Sequence, residues 1–344
     1  MSKYIRWQVA LTFLGIVLVG AVLFYVSWSR QPAETYSLSR STETTTVETR
    51  GGTYVEGLVG YPQYINPLFS DLYEVDRDLG ALIFEGLTRV DEHNQIAPLL
   101  AERWEVSDDG LVYTFYLRTS VCWQDGEPLT ADDVLFTISV LQSPDFPGLP
   151  SLSELWRSVD VEKLDRHTVQ FTLHEAYAPF LDYTTVGLIP KHVLGDVPIS
   201  ELDQHAFNYQ PVGSGLFQVT ELTAEHLTLQ ANRYHRDWEQ TNLDRIQFRF
   251  YPSYEALLQA YKEGEIMGIS RVQAQDFELV RDNPNLQLLS ARLSGYSLIF
   301  INLDNPEAPF FQDRRVRQAL MYALDRQALV DRVLGGQALV IHSP

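Results

Sequence analysis

Residues 122–134, CWQDGEPLTADDV, put four carboxylates and the chain's single cysteine into thirteen positions. Such density has two readings: an acid–base or metal centre, or a piece of architecture built from acidic residues. Turn and cap chemistry decides between them. Asp125-Gly126 suits a tight turn closing the strand that carries Cys122 and Trp123. Thr130 stands before a helically spaced apolar run, Val134, Leu135, Ile138 and Leu141, and Asp133 three places on completes a capping box. Asp132 and Asp133 in the first turn also complement the positive end of the helix dipole. Only Glu127 is left without a structural role, and no histidine lies nearby in sequence to complete a metal set. The stretch predicts strand, turn and capped helix, with no catalytic centre. Cys122 reads as a small buried apolar residue, and a single cysteine excludes both an intrachain disulfide and a Cys-rich metal site.

Outward from this stretch the same local grammar continues. RWEVSDDGLVYTFYLR predicts a hairpin turning at Asp109-Gly110, with Leu111, Tyr113, Phe115 and Leu117 on one strand face. VDVEKLDRHTVQFTL predicts a second hairpin, turning at Asp165-Arg166-His167. PVGSGLFQVTEL and HLTLQANRYH read as strands, the first with two glycines where side chains cannot fit. GGTYVEGLVG reads as a short strand, and DRDLGALIFEGLTRV as a helix that Gly86 would end. LDRIQFRFYPSYEALLQAYKEGEIMGI has the strand–helix–strand spacing of a βαβ unit, with Gly264 closing the helix. YSLIFINLDN is a continuous apolar run that predicts a strand buried on both faces. Asp313 should cap a helix that has Val316, Ala319, Leu320, Ala323 and Leu324 on one side; Asp325 starts the next, and Gly335-Gly336 ends it. Mixed strands and helices without an internal repeat make the fold class α/β, in the mixed α+β sense.

Composition bounds the function. The 344 residues are 45% hydrophobic and 12% aromatic, enough for a packed core. Net charge is −19; the first fifty residues carry five basic and three acidic groups, leaving 21 basic against 42 acidic in the rest. A surface so acidic repels nucleic acid, which is excluded as a partner. Trp7 to Trp28 is uncharged and apolar, preceded by Lys3 and Arg6. That length spans a bilayer, so residues 1–28 are expected to form an uncleaved transmembrane signal anchor at the cell membrane. Residues 29–50, rich in Ser, Thr and Glu, read as a flexible tether to a domain on the extracytoplasmic side.

In order and spacing, LIFEGLTRV, LAERWEVSDDGLVYTFYLR, WQDGEPLTADDV, GLIPKHVL, PVGSGLFQV and FFQDRRVRQALMYALDRQALV resemble the family 5 extracellular solute-binding proteins, the oligopeptide, dipeptide and nickel receptors of ABC importers. Leu216, where the family usually has proline, and Met267, where it favours GEID, depart from the pattern. The resemblance implies a periplasmic-binding-protein type II clamshell. Residues 51–295 would form the first lobe, with 91–195 as an inserted subdomain, and 296–344 the crossover strand and start of the second. The first lobe is then nearly complete and the second largely missing, so the chain reads as a fragment, with a truncated gene product or a split protein as alternatives.

The function so implied is capture of a peptide or related small solute for an ABC permease, by a monomer without catalysis, metal or other cofactor. Tyr61, Tyr64 and Asn66, in LVGYPQYINP where the family's cleft is lined, are candidate ligand-binding residues, joined by Tyr296 and Asn302 on the crossing strand. The alternatives are a membrane-tethered sensor or scaffold with an incomplete binding domain, or an exported hydrolase. Ser214 in VGSGLF is the hydrolase's nucleophile candidate, but G-x-S-x-G is not met. His167, His174, His192, His205, His226 and His235 are scattered and expected mostly at the surface.

Overall fold

The computed structural model describes residues 51–284, 286–289 and 297–341. The expected anchor, the tether and Tyr296 lie outside the described residues. Among the described residues, no helix is long and apolar enough to cross a membrane.

The described chain starts with β1 (Thr53–Val59) and α1 (Glu74–Ile83). Two short strands, β2 (Thr88–Val90) and β3 (Ile96–Pro98), pair antiparallel. Then come β4 (Ala101–Val106), β5 (Val112–Leu117), α2 (Ala131–Gln142), α3 (Pro150–Trp156), β6 (Val159–Asp165) and β7 (Thr168–Leu173). Short helices α4 (Phe180–Tyr183) and α5 (Lys191–Leu194) lead to β8 (Phe217–Leu222), β9 (His226–Ala231) and β10 (Arg245–Tyr251). After these come α6 (Tyr254–Lys262), β11 (Gly268–Ile269), α7 (Phe277–Arg281), α8 (Arg314–Ala323) and α9 (Arg326–Val333).

Two sheets organise these elements. The first has the order β11-β1-β10-β9-β8, and β1 runs parallel to both its neighbours. The β10–α6–β11 crossover therefore straddles β1, giving the parallel core expected of the βαβ spacing. The second sheet, β4-β5-β7-β6, is antiparallel throughout and falls in sequence between β1 and β8. Its hairpins turn where side-chain acceptors satisfy the turn amides. Asp109 Oδ1 accepts from the Leu111 N–H (3.1 Å) while Gly110 takes φ +70°, and Asp165 Oδ1 accepts from the His167 N–H (2.7 Å). Alternation buries Tyr113, Phe115 and Leu117, and Phe115 meets Phe171 edge-on at 5.5 Å. Trp156 and Phe180 each stand 5.8 Å from Phe171, closing an aromatic core over this sheet.

The 122–134 stretch is the architecture that its sequence predicts. Cys122 bridges Pro128 across a turn in which Gly126 adopts φ +92°. The Thr130 N–H donates to Asp133 Oδ2 (2.8 Å), the Asp132 N–H to Thr130 Oγ1 (3.3 Å), and Lys163 Nζ to Asp132 Oδ2 (2.7 Å). Asp133 does more than cap: its Oδ1 accepts from the Lys191 N–H (3.0 Å), tying α2 to the start of α5. Thr130→Ala is therefore expected to cost about 1 kcal/mol, and Asp133→Ala about 2 kcal/mol because a second amide loses its acceptor. Urea denaturation midpoints of the two variants would check this order. Cys122 itself is half-buried rather than buried.

Three further expectations need correction. α1 ends at Phe84, not Gly86: Phe84 turns extended (φ −121°, ψ 152°) to bury its ring, while its N–H still closes onto the Gly80 carbonyl. Gly86 is required for a different reason, since a Cβ there would stand 2.5 Å from the Thr185 carbonyl oxygen. Residues 297–302 form no strand, and Ile299 and Phe300 are 80% and 88% exposed. A strand buried on both faces needs neighbours beside and above it, and no described strand pairs with this segment. α8 and α9 form with the predicted Asp313 and Asp325 caps, but no residue of α8 is buried, and Leu320 and Leu324 remain exposed.

Candidate functional site

The parallel strands β1, β10 and β11 all point their carboxyl ends at one edge of the first sheet, the edge where open α/β sheets bind ligands. The chain leaves β1 through Gly60 (φ +100°) into the 61–69 loop, which α1 then holds in place. Asp76, fully buried on α1, accepts from the Gln63 (2.8 Å) and Tyr64 (2.9 Å) amides. Burial pushes its carboxyl pKa up, against the lowering effect of those two N–H groups. The Ile65 N–H donates to the Asn208 carbonyl (2.9 Å), fixing the far side of the loop.

This loop holds three of the predicted residues in three different settings. Tyr61 is 40% exposed, its ring edge-on to Phe250 at 5.2 Å. Tyr64 is half-buried, 5.8 Å from the Phe69 ring. Asn66 is 1% exposed: Oδ1 accepts from the Leu68 N–H (3.1 Å), and Nδ2 is buried with no partner. Asn302 is exposed and accepts from the Asp304 N–H (3.0 Å); among the described residues no hydrogen bond or ring contact joins it to the loop. Of these four, Tyr61 alone offers a ring at the strand edge.

Charged groups gather beside it. Arg271, just past β11, reaches back to α1, bonding both Asp78 oxygens (3.0 Å each) and also Glu74. Burial raises the Asp78 pKa, Arg271 lowers it and Glu74 raises it again. Glu56 on β1 is raised too, by burial first and by the charge of Asp78, with a Tyr54 hydrogen bond opposing. The Tyr54 hydroxyl is pushed up to about 12 by burial and by Glu56. Glu74 and Asp78 lie one turn apart on α1, a spacing the sequence displayed. Nothing in the sequence linked them to Arg271, 193 residues from Asp78.

The other side of α1 opens on a cleft of about 440 Å³. Pro67, Ser70 and Asp71 line it from the loop, Arg77 and Phe84 from α1 and its exit. The facing wall is Leu152 of α3 and the 182–187 segment. Tyr61, Tyr64 and Asn66 do not line this cleft.

Among the described residues, the nucleophile candidate of the hydrolase reading takes a structural place. Ser214 is buried, and its Oγ accepts from the Glu85 N–H (3.2 Å), a structural bond. The histidines divide: His174 and His192 are exposed, His167, His205 and His226 half-buried, and His235 buried against Glu85 (3.2 Å). Among the described residues no three His, Cys, Asp or Glu side chains converge to hold a metal.

Residues 95–344 match the profile of the bacterial extracellular solute-binding proteins, family 5 Middle. The chain is 32% identical over 346 residues to the oligopeptide-binding protein AppA of Bacillus subtilis, covering 98% of this chain and 61% of that protein. It superposes on NikZ of Campylobacter jejuni, solved in complex with Ni(L-His), with a TM-score of 0.72 and 30% identity over 85% of this chain and 57% of that one. It superposes on AppA of Bacillus subtilis, solved with a nonapeptide, with a TM-score of 0.70 and 31% identity over 86% of this chain and 58% of that one. The mixed α/β fold is thus that of the type II periplasmic-binding proteins, and the chain spans about three-fifths of the relatives it matches.

Proposed function

The chain belongs to the bacterial extracellular solute-binding proteins of family 5, and on that premise we propose that it captures a peptide outside the cell and delivers it to an ABC permease. The observation that carries this reading is the family match over residues 95–344. A relative that carries the name oligopeptide-binding protein and another crystallised with Ni(L-His) bracket the cargo, and we take peptide as the class.

Mechanistically this is binding without bond cleavage. Ligand enters at the carboxyl edge of β1, β10 and β11, where Tyr61 presents an apolar face with a polar tip. Tyr64 and Asn66 act on ligand through the shape of the loop that carries Tyr61; Tyr296 and Asn302 would contribute from the segment that crosses to an opposing lobe. Contact with both sides would favour a closed form over an open one. The apolar, uncharged Trp7–Trp28 segment would tether the domain to the outer membrane face as a monomer. The acidic balance of the chain, −19 overall, fits a partner other than nucleic acid.

Incubating the 344-residue chain with a defined peptide mixture, washing, and reading the bound fraction by mass spectrometry tests the proposal. Intact retained peptides are expected. Cleaved products would replace the receptor reading with the hydrolase, and an empty eluate would replace it with the sensor or scaffold.

A further inference from the structure

We propose that Asp76 is a positioning residue for the candidate site, a buried carboxylate that holds Tyr61 in place through the amides of Gln63 and Tyr64. Peptide affinity would then depend on a group that no ligand touches. The inference rests on the solute-capture reading and on Tyr61 as its contact at the sheet edge.

The loop's own hydrogen bonds carry the argument. At one end the Gly60 N–H donates to the Tyr251 carbonyl (2.9 Å), and at the other the Ile65 N–H donates to the Asn208 carbonyl (2.9 Å). Between them, among the described residues, the only backbone N–H groups with partners are those of Gln63 and Tyr64. Both go to Asp76, at 2.8 and 2.9 Å. Tyr61 therefore hangs between the Gly60 bond and the carboxylate. Pro62, which is buried, joins it to Gln63 with a fixed φ and disfavours helical backbone at Tyr61. A link this stiff passes a shift at Gln63 on to the Tyr61 ring, whose one ring contact among the described residues is Phe250.

The chemistry of the clasp asks for a carboxylate. Asp76 is 0% exposed and has no ion pair among the described residues, a costly place for a charge. Two N–H groups converge on it, and a carboxylate offers an acceptor oxygen to each. An asparagine has one acceptor oxygen, and its NH2 would face the second amide donor to donor. Helix capping does not explain the residue either. α1 has no side-chain cap, and the Asp76 oxygens reach 12 and 13 residues back into the loop. The support they pull against is fixed, because Arg271 grips α1 at Glu74 and Asp78.

Equilibrium dialysis of the 344-residue chain against the defined peptide mixture, with free peptides quantified by mass spectrometry, tests this. The proteins compared are the wild type, Tyr61→Ala, Asp76→Asn and the double variant. Each single variant should weaken the retained peptides about tenfold, the size of one lost polar or ring contact. The double variant should bind no more weakly than Tyr61→Ala, because Asp76 acts through Tyr61. Losses that multiply, or wild-type affinity in either single variant, would overturn the inference and leave solute capture standing. If the wild type retains no peptide, both fail. Hydrogen exchange on the wild type decides the clasp even where Asp76→Asn does not fold. There the Gln63 and Tyr64 amides should exchange roughly tenfold or more slowly than the Tyr61 amide, and equal rates would overturn the inference.

Discussion

Glu85→Gln is expected to destabilise the protein by about 3 kcal/mol, the low end of the range for breaking a buried ion pair by removing one partner. Glu85 is buried, and Arg236 grips it as a fork: Nη1 donates to Oε2 (3.0 Å) and Nη2 to Oε1 (2.6 Å). His235 Nε2 lies 3.2 Å from the same Oε1, while His235 Nδ1 accepts from the Asp237 N–H (3.1 Å). That second bond leaves the proton on Nε2, so His235 donates to the carboxylate. The amide of glutamine would keep the volume but leave Arg236 without its counter-charge. Arg236 is only partly buried and can turn towards water, which is why the low end applies.

The same group sets an acid limit. Burial alone would raise the Glu85 pKa, but the hydrogen bonds from His235 and Arg236 and the charge of Arg236 outweigh it and hold the carboxyl below its usual value. A carboxyl depressed on folding contributes stability that is fully present above its unfolded value, about 4.3, and is lost as pH falls through the lower folded value. Denaturant unfolding from pH 6 to pH 3 should therefore show stability declining below about pH 4.3, with a shallower decline in Glu85→Gln. Equal slopes in the two proteins would show that the pair contributes nothing to acid sensitivity.

This node also marks where the sequence stopped being informative. The Thr130–Asp133 box, the Asp109-Gly110 turn and the Asp313 cap were readable because donor and acceptor lie within four residues. Hairpins and the βαβ unit followed from the same short-range grammar and from alternation. The long-range polar contacts were not readable. Glu85 meets His235 across 150 residues, and Arg271 meets α1 across more than 190. No spacing rule connects such positions. The segment 297–302 shows the complementary failure: a continuous apolar run states what a segment would bury, not which surface will cover it. For the candidate site, residue type led to the 61–69 loop through Tyr61 and Tyr64. It could not distinguish the exposed Tyr61 from Asn66, which the fold turns inward onto the Leu68 amide. The cleft behind α1 was invisible, because its walls come from residues 67–84, Leu152 and the 182–187 segment.

Gly213→Ala should have the larger effect, about 4 kcal/mol or more, at the level where single substitutions become exceptional. PVGSG, residues 211–215, passes so close to the end of α1 that a Cβ on Gly213 would stand 1.9 Å from the Ile83 carbonyl oxygen. Neither that oxygen nor its own backbone can yield: the Gly215 N–H holds the oxygen, and Gln124 holds the glycine on both sides. The Gly213 N–H donates to Gln124 Oε1 (2.8 Å), the Gln124 N–H donates to the Gly213 carbonyl (2.9 Å), and Gln124 Nε2 donates to the Phe217 carbonyl (2.8 Å). The Gly215 N–H closes onto the Ile83 carbonyl (2.8 Å), and Asn232 Nδ2 donates to the Gly215 carbonyl (3.0 Å). Moving the loop to fit one methyl would strip several buried groups of partners at once. The sequence had marked this as a place where side chains cannot fit, and the cause is backbone against backbone. Gly264→Ala makes the control: that residue has φ +77° but nothing within 4 Å of a Cβ, so only the left-handed backbone cost of roughly 1–2 kcal/mol should appear. Chemical denaturation of both variants would separate the two causes. If Gly213→Ala cost no more than Gly264→Ala, the close approach of the glycine loop to α1 would carry no weight in holding the first sheet to that helix, because Gly213 has no left-handed φ to account for its loss.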